Sequence, residues 1–281
     1  MKTAIVTDST AYLPHQLREQ LHIEMCPLNV IFGSESYLEE VEITVDDFYE
    51  KVKQAPELPK TSQPAIGLFE ETYKRLAEQG YEAIISIHLS SGISGTFQAS
   101  ITAGEMVDGV EVYSFDSEIS CIPQGFYAIE AAEMAQQGKC PEEILERLNE
   151  MKKSMRAYFM VDDLSHLQRG GRLNGAQALI GSLLRVKPLL HFEDTKIVPF
   201  EKIRTHKKAI KHILELFDED SKTGVPIKAS FIHANRSEIA EELKNQIQEQ
   251  YSNVEVDISY FGPVIGTHLG EGALGLGWYK K

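Results

Sequence analysis

"EAIISIHLSSGISGTFQ", residues 82–98, decides how the rest of the chain is read. From Glu82 to Ser90 the apolar run has the look of a strand buried on both faces. Serines and glycines follow, and a helical pattern then opens. A buried strand that leaves through a Ser/Gly loop into a helix is the repeating step of α/β proteins. "TAIVTDS" (3–9) and "VEVYSFDS" (110–117) repeat the step, so the first half reads as parallel α/β.

The loop within that stretch, His88 to Gln98, contains no lysine or arginine. Glycine allows close backbone approach, serine and threonine offer neutral donors, and a helix start adds unpaired N–H groups. A Walker cradle requires a lysine that is missing here. A nucleophile elbow requires Gly-x-Ser-x-Gly, whereas Gly92-Ile93-Ser94-Gly95 brings the second glycine one place early. What remains suits one small anionic group such as a carboxylate; a plain structural turn uses the same residues.

Working outward, "TVDDFYEKVKQ" (44–54) reads as a helix capped by Thr44, with Asp46 and Asp47 in its first turn. In "APELPKTSQPAIGLF" (55–69) three prolines frame Thr61, Ser62 and Gln63. Pro64 fits a helix first turn, so Ser62 or Gln63 is expected to cap a helix with Thr61 just outside. Ligands of open α/β sheets collect beyond the carboxyl ends of the strands. Asp8-Ser9, Thr61-Ser62 and Ser90 to Thr96 are therefore expected to converge.

After "CPEEILERLNEMKKSM" (140–155) the composition changes, and a boundary is expected near residue 155, giving domains 1–155 and 156–281. The second half reads as strand "RAYFMVDDL", apolar helix "GAQALIGSLL" (175–184) and a strand pair joined at Asp194-Thr195. A basic helix near "THKKAIKHILELF", strand "PIKASFIHA", a helix from Ser237 to Gln250 and strand "VEVDISYF" follow. The fold class is α/β: a three-layer α/β/α domain with a parallel sheet, then a two-layer domain with a mixed sheet.

Hydrophobic content of 42% and charged content of 25% are ordinary for a soluble globular chain. The formal net charge of -14 argues against nucleic acid as the main partner. "MKTAIVTDST" reads as a first strand rather than a signal peptide, and no eighteen-residue apolar run marks a membrane span, so a cytoplasmic location is expected, with at most transient membrane contact. Cys26, Cys121 and Cys140 follow no metal-ligand spacing and read as reduced thiols.

Three further stretches draw attention. "QRGGRLNG" sets Arg169 and Arg172 around two glycines, a fork for carboxylate or phosphate or else a solvated turn. "EKIRTHKKAIKH" gathers Lys202, Arg204, His206, Lys207 and Lys208, a docking patch for an acidic partner or a solvated helix face. "GPVIGTHLGEGALGLGWY" surrounds His268 with glycines, which suits close packing against a ligand or another domain. The acid pairs Asp162-Asp163 and Glu142-Glu143 read as caps or solvated first turns, and His88 as structural.

Taken in order, these pieces resemble the DegV family of bacterial fatty-acid-binding proteins. The matching elements are "TDST" (7–10), "KTSQP" (60–64), "LSSGISGTFQ" (89–98), "FDS" (115–117), "QRGGR" (168–172), "VKP" (186–188), "KIRT" (202–205) and "GTHLGEGALG" (266–275). The resemblance implies two α/β domains of the kind seen in the substrate domain of dihydroxyacetone kinase. It also implies a long-chain fatty acid as ligand, no other cofactor, no metal and no catalytic residue. Thr61, Ser62, Ser91, Gly92, Ser94 and Gly95 become head-group contacts, with His268 nearby. A fatty acid kinase is the implied partner, making acyl phosphate for phospholipid synthesis. Arg169, Arg172, Lys202 and Arg204 then dock that partner or orient the head group. Two departures stand out: Gly270-Glu271-Gly272 where the family commonly has Gly-Pro-Gly, and Ser165-His166-Leu167 in place of an aromatic-leucine pairing. The competing readings are a lipid-sensing regulatory module, and an acyl hydrolase or small-molecule kinase subunit using Ser94, Asp8 or His268.

Overall fold

The structure is a computed structural model describing residues 2–173 and 187–281. It divides into two compact units, one ending at Lys153 and the other beginning at Ser154. The apolar helix expected over 175–184, and Val186 of the "VKP" element, lie outside the described residues.

In the first unit, β1 (Thr3–Asp8), β2 (Ile23–Cys26), β6 (Ala83–His88) and β7 (Glu111–Asp116) form an all-parallel sheet in the order β2-β1-β6-β7. Every residue of β1 and β6 is buried, as a central parallel strand covered on both faces must be. On one face, Ala4, Val6 and Ile84 pack with Phe69, Tyr73 and Leu76 of α3 (Ile66–Glu78) and with Ala99 and Ala103 of α4 (Thr96–Gly104). α5 (Ile122–Gln136) packs on β1 and touches α1 (His15–Leu21), completing three layers. α2 (Val45–Gln54) starts as its sequence indicates, with the Asp47 N–H donating to Thr44 Oγ1 at 3.2 Å.

A second small sheet was not anticipated. β3 (Asn29–Phe32) pairs antiparallel with β4 (Glu35–Leu38) and with β5 (Lys60–Ser62). Thr61 therefore sits opposite Val30 and Ser62 opposite Asn29, and neither Ser62 nor Gln63 caps a helix. α3 begins at Ile66 with Ala65 as its cap. Pro64 pushes the residue before it toward extended backbone, and Thr61 is β-branched, so this segment serves the sheet edge better than a helix turn.

The second unit carries a mixed six-stranded sheet, β10-β9-β8-β13-β11-β12. Its strands are β8 (Arg156–Met160), β9 (Lys187–Glu193), β10 (Lys196–Ile203), β11 (Ile227–His233), β12 (Val254–Tyr260) and β13 (Leu274–Lys280). Only β11 and β12 run parallel; the other neighbours are antiparallel. One core joins Ala209, Ile213 and Phe217 of α8 (His206–Ser221), Ala240, Leu243 and Ile247 of α9 (Ser237–Gln250), and Phe231, Leu276 and Trp278 of the sheet. Two short helices, α7 (Ser165–Arg169) and α10 (Pro263–Leu269), pack on each other. α6 (Pro141–Ser154) precedes β8, with Glu142 and Glu143 in its first turn as expected.

No described helix is long and apolar enough to cross a membrane. The three cysteines form no disulfide; Cys26 and Cys121 are buried, and burial pushes the Cys26 thiol up to about 12.

Candidate functional site

The chain leaves β1 toward β2 on one side and later enters β6 on the other, so β1 and β6 flank the switch point of the parallel sheet. Open α/β sheets leave a crevice beyond the carboxyl ends of the strands at such a point. The strand ends here are Asp8 and His88, and the Ser/Gly loop begins immediately after His88.

Beneath the loop lies a buried polar chain. Asp8 is 1% exposed and its carboxylate takes four donors. Oδ1 accepts from the Thr10 N–H at 3.0 Å and the Thr10 hydroxyl at 2.6 Å, and Oδ2 accepts from the Leu89 N–H at 3.0 Å and His88 Nδ1 at 3.1 Å. With Nδ1 protonated, the other ring nitrogen accepts from the Ser86 hydroxyl at 2.7 Å, and Ser86 accepts from the Tyr73 hydroxyl at 2.7 Å. Ser86, His88 and Asp8 thus hold the order of a hydrolase triad. Ser86, His88 and Tyr73 have no exposed surface, so the serine of that order is closed to substrate.

The loop turns tightly above this chain. The Ile93 and Ser94 N–H groups donate to the Ser90 carbonyl at 3.1 and 3.2 Å, the Gly92 N–H donates to Ser90 Oγ at 3.3 Å, and the Ser91 N–H donates to Asp116 at 3.2 Å. The Thr96 N–H donates to Ser94 Oγ at 3.3 Å, and the Ser94 and Thr96 hydroxyls are 2.9 Å apart. Ser94 is part-buried, and its hydroxyl pairs with the hydroxyl of Thr96. Ser91 and Gly95 are exposed, and Gly92, Thr61 and Ser62 are half-buried.

The segment after β5 meets this loop. A Cβ on Gly95 would stand 2.0 Å from Gln63 Oε1, so the loop and the Thr61–Gln63 segment touch at a residue without a side chain. Of the three segments expected to converge, Asp8-Ser9 lies underneath, buried, and the other two lie side by side.

In the second unit the remaining motif residues interlock. His166 of α7 donates from Nδ1 to the Thr267 carbonyl at 3.3 Å, so the histidine of Ser165-His166-Leu167 tethers α10. A Cβ on Gly170 would stand 2.3 Å from His268 Nδ1, which explains a glycine in "QRGGR". His268 is partly buried, and burial first, then Arg172 and His166, push its pKa down to about 4. Arg172 is half-buried and donates to the Gly170 carbonyl; Arg169, Lys202 and Arg204 are exposed.

Two readings from the sequence change here. Asp162 is no solvated cap: it is 2.5 Å from His206 Nε2 and accepts from Arg236 at 2.8 Å, while Asp163 accepts from the Ser165 N–H and hydroxyl. His206, half-buried, consequently pairs with Asp162, while Lys207 and Lys208 beside it are exposed. Glu271 is exposed and accepts from Asn235 at 2.9 Å. Clefts of about 690 Å³, between Asp162, Arg236 and Glu271, and about 660 Å³, beside the β3–β4 hairpin, include no residue of the Ser/Gly loop. Among the described residues no cluster of His, Cys, Asp or Glu is arranged to hold a metal ion.

A parallel-sheet unit with a hydroxyl-bearing loop at its switch point, followed by a unit built on a mixed sheet, defines a two-part α/β architecture. The chain belongs to the DegV family: the family model, described as "Uncharacterised protein, DegV family", matches residues 2–281. Protein DegV of Bacillus subtilis is 59% identical over 282 residues, covering 100% of both chains. The crystal structure of that DegV, described as a fatty acid binding protein, superposes with a TM-score of 0.96 over 100% of each chain. A DegV family protein from Thermus thermophilus, described by its fatty acid binding, is 31% identical with a TM-score of 0.92 over 100% of each chain. A fatty acid binding DegV family protein from Streptococcus agalactiae is 33% identical with a TM-score of 0.91, covering 100% of this chain and 99% of the other.

Proposed function

We propose that this protein binds a long-chain fatty acid, with the carboxylate received by Thr61, Ser62 and the Ser91–Gly95 loop, and offers it to a fatty acid kinase. The observation that carries the reading is the side-by-side placement of two hydroxyl-bearing segments at the switch point of the parallel sheet, with no lysine or arginine in the loop. Such a site matches one carboxylate, held by charge-assisted hydrogen bonds of roughly 1.5–3 kcal/mol each. The tail supplies most of the affinity: about twelve buried methylenes at roughly 0.8 kcal/mol each give on the order of 10 kcal/mol before ordering costs. The description of three structural relatives as fatty acid binding supports the ligand class. The family resemblance supports the kinase, so phosphoryl transfer belongs to the partner and this chain acts as a carrier. Exposed Arg169, Lys202 and Arg204 are docking candidates, Arg172 and His268 candidates for orienting the head group. Titration with the fluorescent fatty acid cis-parinaric acid tests the reading; a saturable signal displaced by unlabelled fatty acid is expected, and a signal that fatty acid does not displace contradicts it.

A further inference from the structure

The buried "TDST" segment reaches the start of the Ser/Gly loop directly and the Thr61–Ser62 segment through the strand that pairs with it. Asp8 reaches the Leu89 N–H, the last backbone donor before the Ser90–Gly95 loop. Ser9, 1% exposed, reaches the other way: its hydroxyl donates to Glu39 Oε2 at 2.5 Å and accepts from the Leu28 N–H at 3.1 Å. Leu28 leads directly into β3, whose Asn29 and Val30 are the partners of Ser62 and Thr61. Glu39, fully buried, closes the arrangement by donating its N–H to the Leu28 carbonyl at 2.9 Å and accepting from the Tyr12 hydroxyl at 3.0 Å.

We propose that Asp8 and Ser9 are positioning residues that set the separation of the two head-group segments, Asp8 through Leu89 to Ser94 and Ser9 through Leu28 and β3 to Thr61. The proposal rests on the reading of Ser94 and Thr61 as head-group contacts. Asp8 suits the task because a carboxylate is acceptor-only and all four of its contacts are donors. Asn at this position turns an NH2 toward two donors whichever way it flips but keeps an acceptor for Leu89 in one of the two orientations, whereas Ala removes that acceptor altogether. The relay through His88, Ser86 and Tyr73 holds Asp8 from behind, on a route that crosses from α3 to β6 to β1.

Two measurements on the full chain test this. In the ligand-free protein, amide hydrogen exchange of Asp8→Ala is expected to rise about tenfold over Leu89 to Gly95 relative to β13. Exchange that rises equally everywhere, or not at all in the loop, overturns the proposal whether or not fatty acid binds. In double-mutant cycles read with cis-parinaric acid, Asp8→Ala is expected to couple to Ser94→Ala, and Ser9→Ala to Thr61→Ala, each double variant losing less affinity than the product of its singles. Multiplicative losses in both cycles overturn it. Should Asp8→Ala fail to fold, Ser86→Ala loosens the same relay from behind and is expected to give the loop-confined exchange increase in weaker form. A wild-type protein that binds no fatty acid defeats the functional reading alone, and the exchange result then decides the positioning role by itself.

Discussion

Gln63 and Gly95 are in contact across the candidate site: the Gln63 side-chain oxygen occupies a point 2.0 Å from where a Cβ on Gly95 would stand. A methyl group there displaces the far end of an exposed, flexible side chain, and Gly95 has an ordinary negative φ of -81. Gly95→Ala is therefore expected to shift Tm by no more than about 2 °C while lowering fatty-acid affinity about tenfold. Thermal scans and ligand titration on the same sample separate the two effects; a large loss of Tm with normal affinity contradicts the placement of Gly95 at the ligand.

Thr61→Ala combined with Ser94→Ala removes two hydroxyls from partly exposed positions. Stability falls by about 1 kcal/mol, mainly through the lost Thr96 N–H bond to Ser94 Oγ. Affinity for fatty acid falls by roughly 3 kcal/mol or more. Unchanged lipid occupancy in the purified double variant removes these residues from the site.

Much of this framework was legible in the sequence, and the exceptions have physical causes. The buried runs of β1 and β6 and the Thr44 cap are local signals, carried by hydrophobic pattern and by one side chain bonding three residues away. The β3–β4–β5 sheet is built from strands of three and four residues, too short for a period to show, so Lys60–Ser62 read as a helix entrance. The Asp8–His88 pair spans 80 residues, and no spacing rule announces it. His206 lies among lysines in the chain, yet its partner Asp162 comes from the turn after β8. Long-range pairing of polar groups is what one sequence hides best.

A histidine whose folded pKa is lowered gives a signed pH dependence. His268 titrates near 4 in the fold against an ordinary 6.5, so between those values the unfolded chain binds the extra proton. Its stabilising effect is complete above about pH 6.5 and is lost as pH falls toward 4. His191 and His233, also lowered by burial, act in the same direction. His268→Gln is expected to flatten, without abolishing, the rise of Tm with pH across this window; an unchanged slope removes His268 as a contributor.

Arg204 is exposed at the end of β10 and does not belong to the hydroxyl-bearing segments. The proposed carrier role predicts that Arg204→Ala retains fatty acid and that a fatty acid kinase phosphorylates it about tenfold more slowly, the scale of one lost charge-assisted contact. Normal phosphorylation kinetics refute a docking role for this residue.

Lipid content is the most direct test of the carrier reading. The freshly purified protein is denatured, extracted with organic solvent, and the extract quantified per chain by mass spectrometry. Near-stoichiometric fatty acid of one or a few species is the predicted result. An empty extract, followed by no binding of added fatty acid, contradicts it.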